Sequence, residues 1–232
     1  MSWDWGNLQE ATVAERNDRD TLGVLKKYHI KGRILEAGCG ASSKVYAMHT
    51  HGYDVTGLDI DLKIINETKK LFDLNLVCGN VFSLPFKNDY FQAYWSLGII
   101  EHFDDFSGII SEAFRVMKPG GYAFVSFVAL NPIKRLKGFL GYKQSGSHYQ
   151  HTLDRKYVKR EFTKYFQILD EYPTAGFLGF THEIRLLHKL YNYKPSLFVA
   201  RAFKYLLDKL LSPLFGHTYF LVLKKGRCGC FK

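Results

Sequence analysis

The chain has 232 residues, of which 47% are hydrophobic and 16% aromatic, and a formal net charge of +10. That is enough apolar material for one domain with a sizeable core, and it excludes a disordered or collagen-like chain. The charge is uneven, with 13 Lys and Arg against 16 Asp and Glu in residues 1–130 and 19 against 6 in residues 131–232, so an anionic ligand or surface is drawn to the second part.

No apolar run reaches membrane-spanning length, and the opening Met1-Ser2-Trp3-Asp4-Trp5 is acidic and aromatic rather than a charged start followed by an apolar stretch. The expectation is a protein made and kept in the cytoplasm. Residues 1–30 read as helices preceding a sheet, over 11–16 and 21–28. A first strand at 33–37 then runs into Glu36-Ala37-Gly38-Cys39-Gly40 and a helix at 43–51. A second strand at 54–58 ends in Asp59, 19 positions after Gly40, and is followed by Ile60 and a helix at 61–72. This pattern is how a doubly wound sheet grips an adenosine-containing ligand: glycines let the backbone turn tightly and come close, and the acidic side chain accepts from both ribose hydroxyls. Ser43 stands where the dinucleotide fingerprint has its third glycine, and Glu36 would repel a diphosphate while suiting a cationic ligand.

A third strand at 74–78 leads into Gly79-Asn80-Val81, then Leu84-Pro85-Phe86. A fourth at 91–96 leads into Ser96-Leu97-Gly98 and Glu101-His102-Phe103. A helix at 105–117 and the turn Lys118-Pro119-Gly120-Gly121 introduce a fifth strand at 121–128. Strands alternating with helices require crossover connections and hence parallel pairing. Residues 166–170 supply a sixth strand and 217–225 a seventh. Residues 131–155 and 173–216 are not needed for the sheet and read as insertions. In the second, Val199, Phe203, Leu206 and Leu210 recur at helical spacing with Arg201, Lys204, Asp208 and Lys209 mainly on the other side, which suits a cap on the sheet or an amphipathic element over 196–211 that touches a membrane or lines a greasy pocket. None of Cys39, Cys78, Cys228 and Cys230 has zinc-site spacing, and a reduced compartment accounts for them.

In order and spacing these motifs resemble the class I S-adenosylmethionine-dependent methyltransferases over roughly residues 30 to 130, whose first motif reads acidic-x-Gly-x-Gly. The resemblance implies an α/β fold, a doubly wound, mostly parallel seven-stranded sheet with the seventh strand antiparallel, and helical cap insertions. It implies one domain over 1–232, with residues 1–30 as a lid and the two insertions forming an acceptor cap. It implies S-adenosylmethionine as cofactor and S-adenosylhomocysteine as product, held by Glu36, Gly38, Cys39, Gly40, Asp59, Ile60, Asn80, Val81, Ser96 and Leu97. Asn80 departs from the family's acid, yet its amide oxygen still accepts a bond from the adenine amino group.

Methyl transfer from a sulfonium is an in-line displacement that demands alignment and exclusion of water rather than a metal. A base is needed only where the acceptor must lose a proton. The candidates are His102, directly after the fourth-strand loop, and His148 and His151 in the first insertion. The basic, aromatic second half points to a small-molecule acceptor, an oxygen on an amphiphilic or anionic substrate such as a lipid precursor or glycan sugar. An RNA or protein methyltransferase, a non-catalytic S-adenosylmethionine binder and a nicotinamide-dependent reductase stay open beside it. Against a nucleic-acid partner, Ser96-Leu97-Gly98-Ile99 lacks the Asn-Pro-Pro-Tyr-like signature of many amino-group methylases.

Overall fold

Adjacent residues of the central strands are both apolar, so these strands need cover on both faces. The computed structural model describes residues 7–13, 19–130, 152–174 and 218–226, with the single positions 132, 139, 206, 210 and 216. Its seven strands are β1 (Ile34–Ala37), β2 (Val55–Asp59), β3 (Leu76–Cys78), β4 (Phe91–Leu97), β5 (Met117–Val128), β6 (Gln167–Thr174) and β7 (Thr218–Lys224). They form one sheet in the order β3-β2-β1-β4-β5-β7-β6. The pairs among β1 to β5 are parallel, and β7 runs antiparallel to both β5 and β6.

Six helices are described: α1 (Leu8–Val13), α2 (Arg19–Lys27), α3 (Ser43–Thr50), α4 (Leu62–Leu71), α5 (Ser107–Val116) and α6 (Arg155–Thr163). The core divides as the strand period demands. Ile34, Trp95, Phe124 and Val222 pack with Leu25 of α2, Val45 and Met48 of α3 and Ile64 and Ile65 of α4. Their neighbours Leu35, Tyr94, Val125 and Leu223 pack on the opposite face with Ile109, Ile110 and Ala113 of α5 and Val158 and Phe162 of α6. Each strand thus feeds two cores.

The expected strands are all present, with two differences. The segment Lys118-Pro119-Gly120-Gly121, expected as a turn into the fifth strand, lies within β5. Phe91 pairs with Met117 but Ala93 with Tyr122, so these residues bulge from the β4 ladder. They stay tied to the chain after β7, through Gly120 N to Lys225 O (2.9 Å) and Lys225 N to Gly121 O (2.9 Å). Helix α6 lies where no helix was read. Asp154 caps it by accepting from the amides of Lys156 and Tyr157 (2.8 and 3.3 Å), and Val158 and Phe162 bury its apolar face.

Strand order reverses between β1 and β4, which both run parallel, so the chain leaves their carboxyl ends in opposite directions and opens a crevice there. Two further excursions start from the same edge. Leu130 N donates to Leu153 O and Leu153 N to Val128 O, each at 3.0 Å, so the chain departs after β5 and returns beside it. Thr174 at the end of β6 pairs with Thr218 at the start of β7, which itself pairs with Val128 at the end of β5. Most of 131–151 and 175–217, including the element at 196–211, lies outside the described residues, as do Trp3, Trp5, Cys228 and Cys230.

Candidate active site

The turn after β1 is built by backbone. Gly38 and Gly40 have φ of 81° and 47°, and Ser42 follows at 62° as the α3 cap, a sequence of left-handed positions that glycine adopts without strain. The amides of Gly38 and Cys39 both donate to Leu58 O, at 2.7 and 3.0 Å, which fastens the turn to β2. A Cβ on Gly38 would lie 2.2 Å from Ile99 Cδ1. Gly38 is therefore required by a protein neighbour, since Ile99, from the loop after β4, packs directly on its α-carbon. Sequence reasoning missed Ile99 because nothing local marks a contact across 61 positions.

Asp59 closes the other side. One carboxylate oxygen accepts from Gly40 N at 2.8 Å and the other from Asp61 N at 3.0 Å. Each oxygen keeps a further lone-pair direction, the bonding capacity that a pair of vicinal hydroxyls requires. Ile60 next to it is 70% exposed, an apolar side chain left at the mouth. Glu36 is buried at the end of β1. Burial raises the Cys39 thiol well above its ordinary pKa, the Glu36 carboxylate adds to this, a bond from Ser42 opposes it, and Asp59 adds a smaller push upward. The thiol therefore stays neutral and is a poor nucleophile. Both carboxylates also act on a single point in the turn, and a field that disfavours a thiolate there favours a cation.

Beyond β3, Gly79 N donates to Asp59 O at 2.9 Å, linking the third loop to the second. Asn80 is exposed, and its Oδ1 accepts from Phe82 N at 2.9 Å, leaving one lone-pair direction outward. Val81 is half-buried beside it. At the end of β4, Ser96 is buried and its hydroxyl donates to Ala37 O at 3.2 Å, tying the two strand ends together. Leu97 is half-buried, and the chain turns at Gly98, whose amide donates to Ser126 O at 3.1 Å. A 3-10 turn, Ile100–His102, follows and holds Glu101 buried and His102 half-buried at the same edge. On the other flank the Thr12 hydroxyl of α1 lies 2.8 Å from Ala41 O, so the N-terminal segment contacts the glycine turn itself.

The structure thus gathers Glu36, Gly38, Cys39, Gly40, Asp59, Ile60, Asn80, Val81, Ser96, Leu97 and His102 along the carboxyl ends of four adjacent strands. His148 and His151 lie outside the described residues. Among the described residues no cluster of three or more His, Cys, Asp or Glu has metal-holding geometry, and no helix is long and apolar enough to cross a membrane.

Residues 35–125 match the family model of a methyltransferase domain. Over 142 residues the chain is 32% identical to 24-methylenesterol C-methyltransferase 3 of Arabidopsis thaliana, covering 54% of this chain and 39% of that protein. Over 154 residues it is 31% identical to phthiotriol/phenolphthiotriol dimycocerosates methyltransferase of Mycobacterium leprae, covering 59% and 56%. The chain spans roughly half the length of the curated relatives it matches. Among solved structures, phosphoethanolamine N-methyltransferase 2 of Haemonchus contortus, in complex with S-adenosyl-L-methionine, superposes with a TM-score of 0.58 at 16% identity over 90% of this chain and 52% of that one. The fold, the turns at the β1–β4 reversal and the matched segment agree: residues 35–125 carry a methyltransferase domain on a sheet of the class I S-adenosylmethionine-dependent methyltransferase type.

Proposed function

We propose that this chain transfers a methyl group from S-adenosylmethionine to a small-molecule acceptor, an oxygen atom on an amphiphilic or anionic substrate. The observation that carries the reading is topological: both insertions leave and rejoin the sheet at the edge that bears the donor cradle. Residues 131–151 contain four basic and no acidic residues, and residues 175–217 six basic against two acidic. Both excursions thus begin and end at the edge that bears the site, and their excess positive charge would attract an anionic group. The sterol and phthiotriol names of the relatives favour a lipid-like acceptor over a soluble metabolite.

When bound, S-adenosylmethionine supplies a methyl group already activated on a sulfonium. Asp59 holds the ribose, the Glu36 carboxylate beside the Gly38 to Gly40 turn holds the cationic amino-acid end, and Asn80 with Val81 holds the adenine. The protein then contributes alignment, since well-oriented reactants reach effective molarities of ~10⁵ M or more. Residues 1–30 act as a lid over the turn, and the two insertions form the acceptor cap. Residues 196–211 touch a membrane or enclose the apolar part of the substrate. His102 takes the acceptor proton, with His148 and His151 as the other candidates.

Labelled-methyl transfer into a fractionated extract tests the reading. The expected result is label in the lipid or small-molecule fraction, released S-adenosylhomocysteine, and turnover that falls at least tenfold in His102→Ala with donor affinity unchanged. Label in RNA or protein would move the acceptor to a macromolecule, and donor binding with no transfer to any fraction would make the chain a binder.

A further inference from the structure

The loop between β3 and β4 carries Asn80 and Val81, yet between residues 79 and 90 the only buried side chain is Leu84. Val81, Phe82, Phe86 and Tyr90 add only partly buried contacts to the core. One guanidinium supplies the polar ties from behind. Arg115, in the last turn of α5, donates through Nε to Glu112 Oε1 (2.7 Å), through one terminal nitrogen to Phe86 O and Asn88 Oδ1 (2.7 and 3.0 Å), and through the other to Leu84 O and Glu112 Oε2 (2.9 and 2.8 Å). All five of its N–H donors are engaged, three of them by the loop. Glu112 completes the clamp by accepting from Leu84 N at 2.6 Å. Nearer the start of α5, Gly108 leaves room for Phe82, whose Cδ1 would stand 2.9 Å from a Cβ there. Phe82 also meets Phe103 edge-on at 4.8 Å.

We infer that Glu112 and Arg115 are positioning residues for donor recognition: they fix the adenine-side loop from behind, so that Asn80 and Val81 present one arrangement to the base. The inference rests on the donor reading above. Neither residue touches the ligand. Their effect passes through the backbone at Leu84 and Phe86, four to six positions from Asn80, and the turn Ser83 N to Asn80 O (3.0 Å) conveys it to the recognition residues. Lysine cannot replace the arginine, because a single ammonium with three donors does not span a carboxylate and two carbonyls in a plane.

The test compares wild type with Arg115→Lys and Glu112→Gln. Calorimetry is run with S-adenosylhomocysteine and with S-inosylhomocysteine, whose base carries an oxo group in place of the 6-amino group, and hydrogen exchange is followed over residues 79–90. In Arg115→Lys the amides of Phe82 to Leu84 exchange faster, S-adenosylhomocysteine binds roughly tenfold more weakly, the scale on which a supporting hydrogen-bond shell tunes the groups it holds, and the preference for adenine over hypoxanthine shrinks. The amides of Gly38 to Ser42 keep their wild-type exchange. Loss of global stability alone does not move the base preference, so that ratio separates positioning from folding. Faster loop exchange with unchanged donor affinity and base preference overturns the inference. If Arg115→Lys does not fold, the same ratio in Glu112→Gln decides. A wild type that binds neither ligand removes the donor reading and the inference with it, whereas intact wild-type binding with unaltered variants removes the inference alone.

Discussion

Gly38 shows how a motif residue can be required twice. Its φ of 81° is a conformation that an L side chain adopts only with strain, and Ile99 occupies the space a Cβ would need. Gly38→Ala should cost about 1–3 kcal/mol through strain and overlap together. Ile99→Ala removes the overlap and leaves the backbone strain, so in a double-mutant cycle followed by urea unfolding the two changes should couple favourably. Strict additivity would show that Ile99 does not set the requirement. Asp59 likewise braces the turn, since its carboxylate accepts from both Gly40 and Asp61. On the proposed reading its removal would damage this brace and the ribose contact at once, which makes it a poor probe of either alone.

At the scale of elements, the ends of strands and helices are held by a few charged side chains that reach buried carbonyls. Lys225, just past β7, is nearly fully buried and donates to Asp89 Oδ1, Phe114 O and Met117 O at 2.8, 2.8 and 2.7 Å. It ties the last strand to the C-terminal end of α5, where unpaired carbonyls need donors. Lys225→Met keeps the length and loses the donors, and should destabilise the fold by about 2–4 kcal/mol. The expected readout is a lower urea midpoint at an unchanged slope; an unchanged midpoint would show that the three bonds contribute nothing net. The same scale shows where sequence patterns fail. β1 through β5 are legible because doubly covered strands are short apolar runs bounded by glycine or polar turns. Helix α6 was equally marked, by the Asp154 cap and the spacing of Val158, Phe162 and Phe166, but sits after an insertion whose extent no local signal defines.

At the scale of the whole molecule, the chain departs from the sheet twice at the edge where the cradle lies, and the departures begin and end in contact. Replacing residues 131–151 with a short Gly-Ser linker should therefore leave the sheet and donor binding intact, because Leu130 and Leu153 are already hydrogen-bonded neighbours. Acceptor turnover should fall to background. A thermal-shift response to S-adenosylhomocysteine that persists in the shortened chain, with no methyl transfer, is the expected result; full turnover would place the acceptor elsewhere. The sequence by itself determined the fold class, which candidate residues lie at the strand ends, and the uneven charge, because strand period, left-handed turn positions and an acidic strand end are written in neighbouring residues. Tertiary structure alone decided that Ile99 covers Gly38, that Arg115 and Glu112 hold the loop of Asn80, and that both insertions spring from one edge. Those facts depend on residues about 30 to 60 positions apart meeting across a folded sheet, and no local pattern specifies which of them will meet.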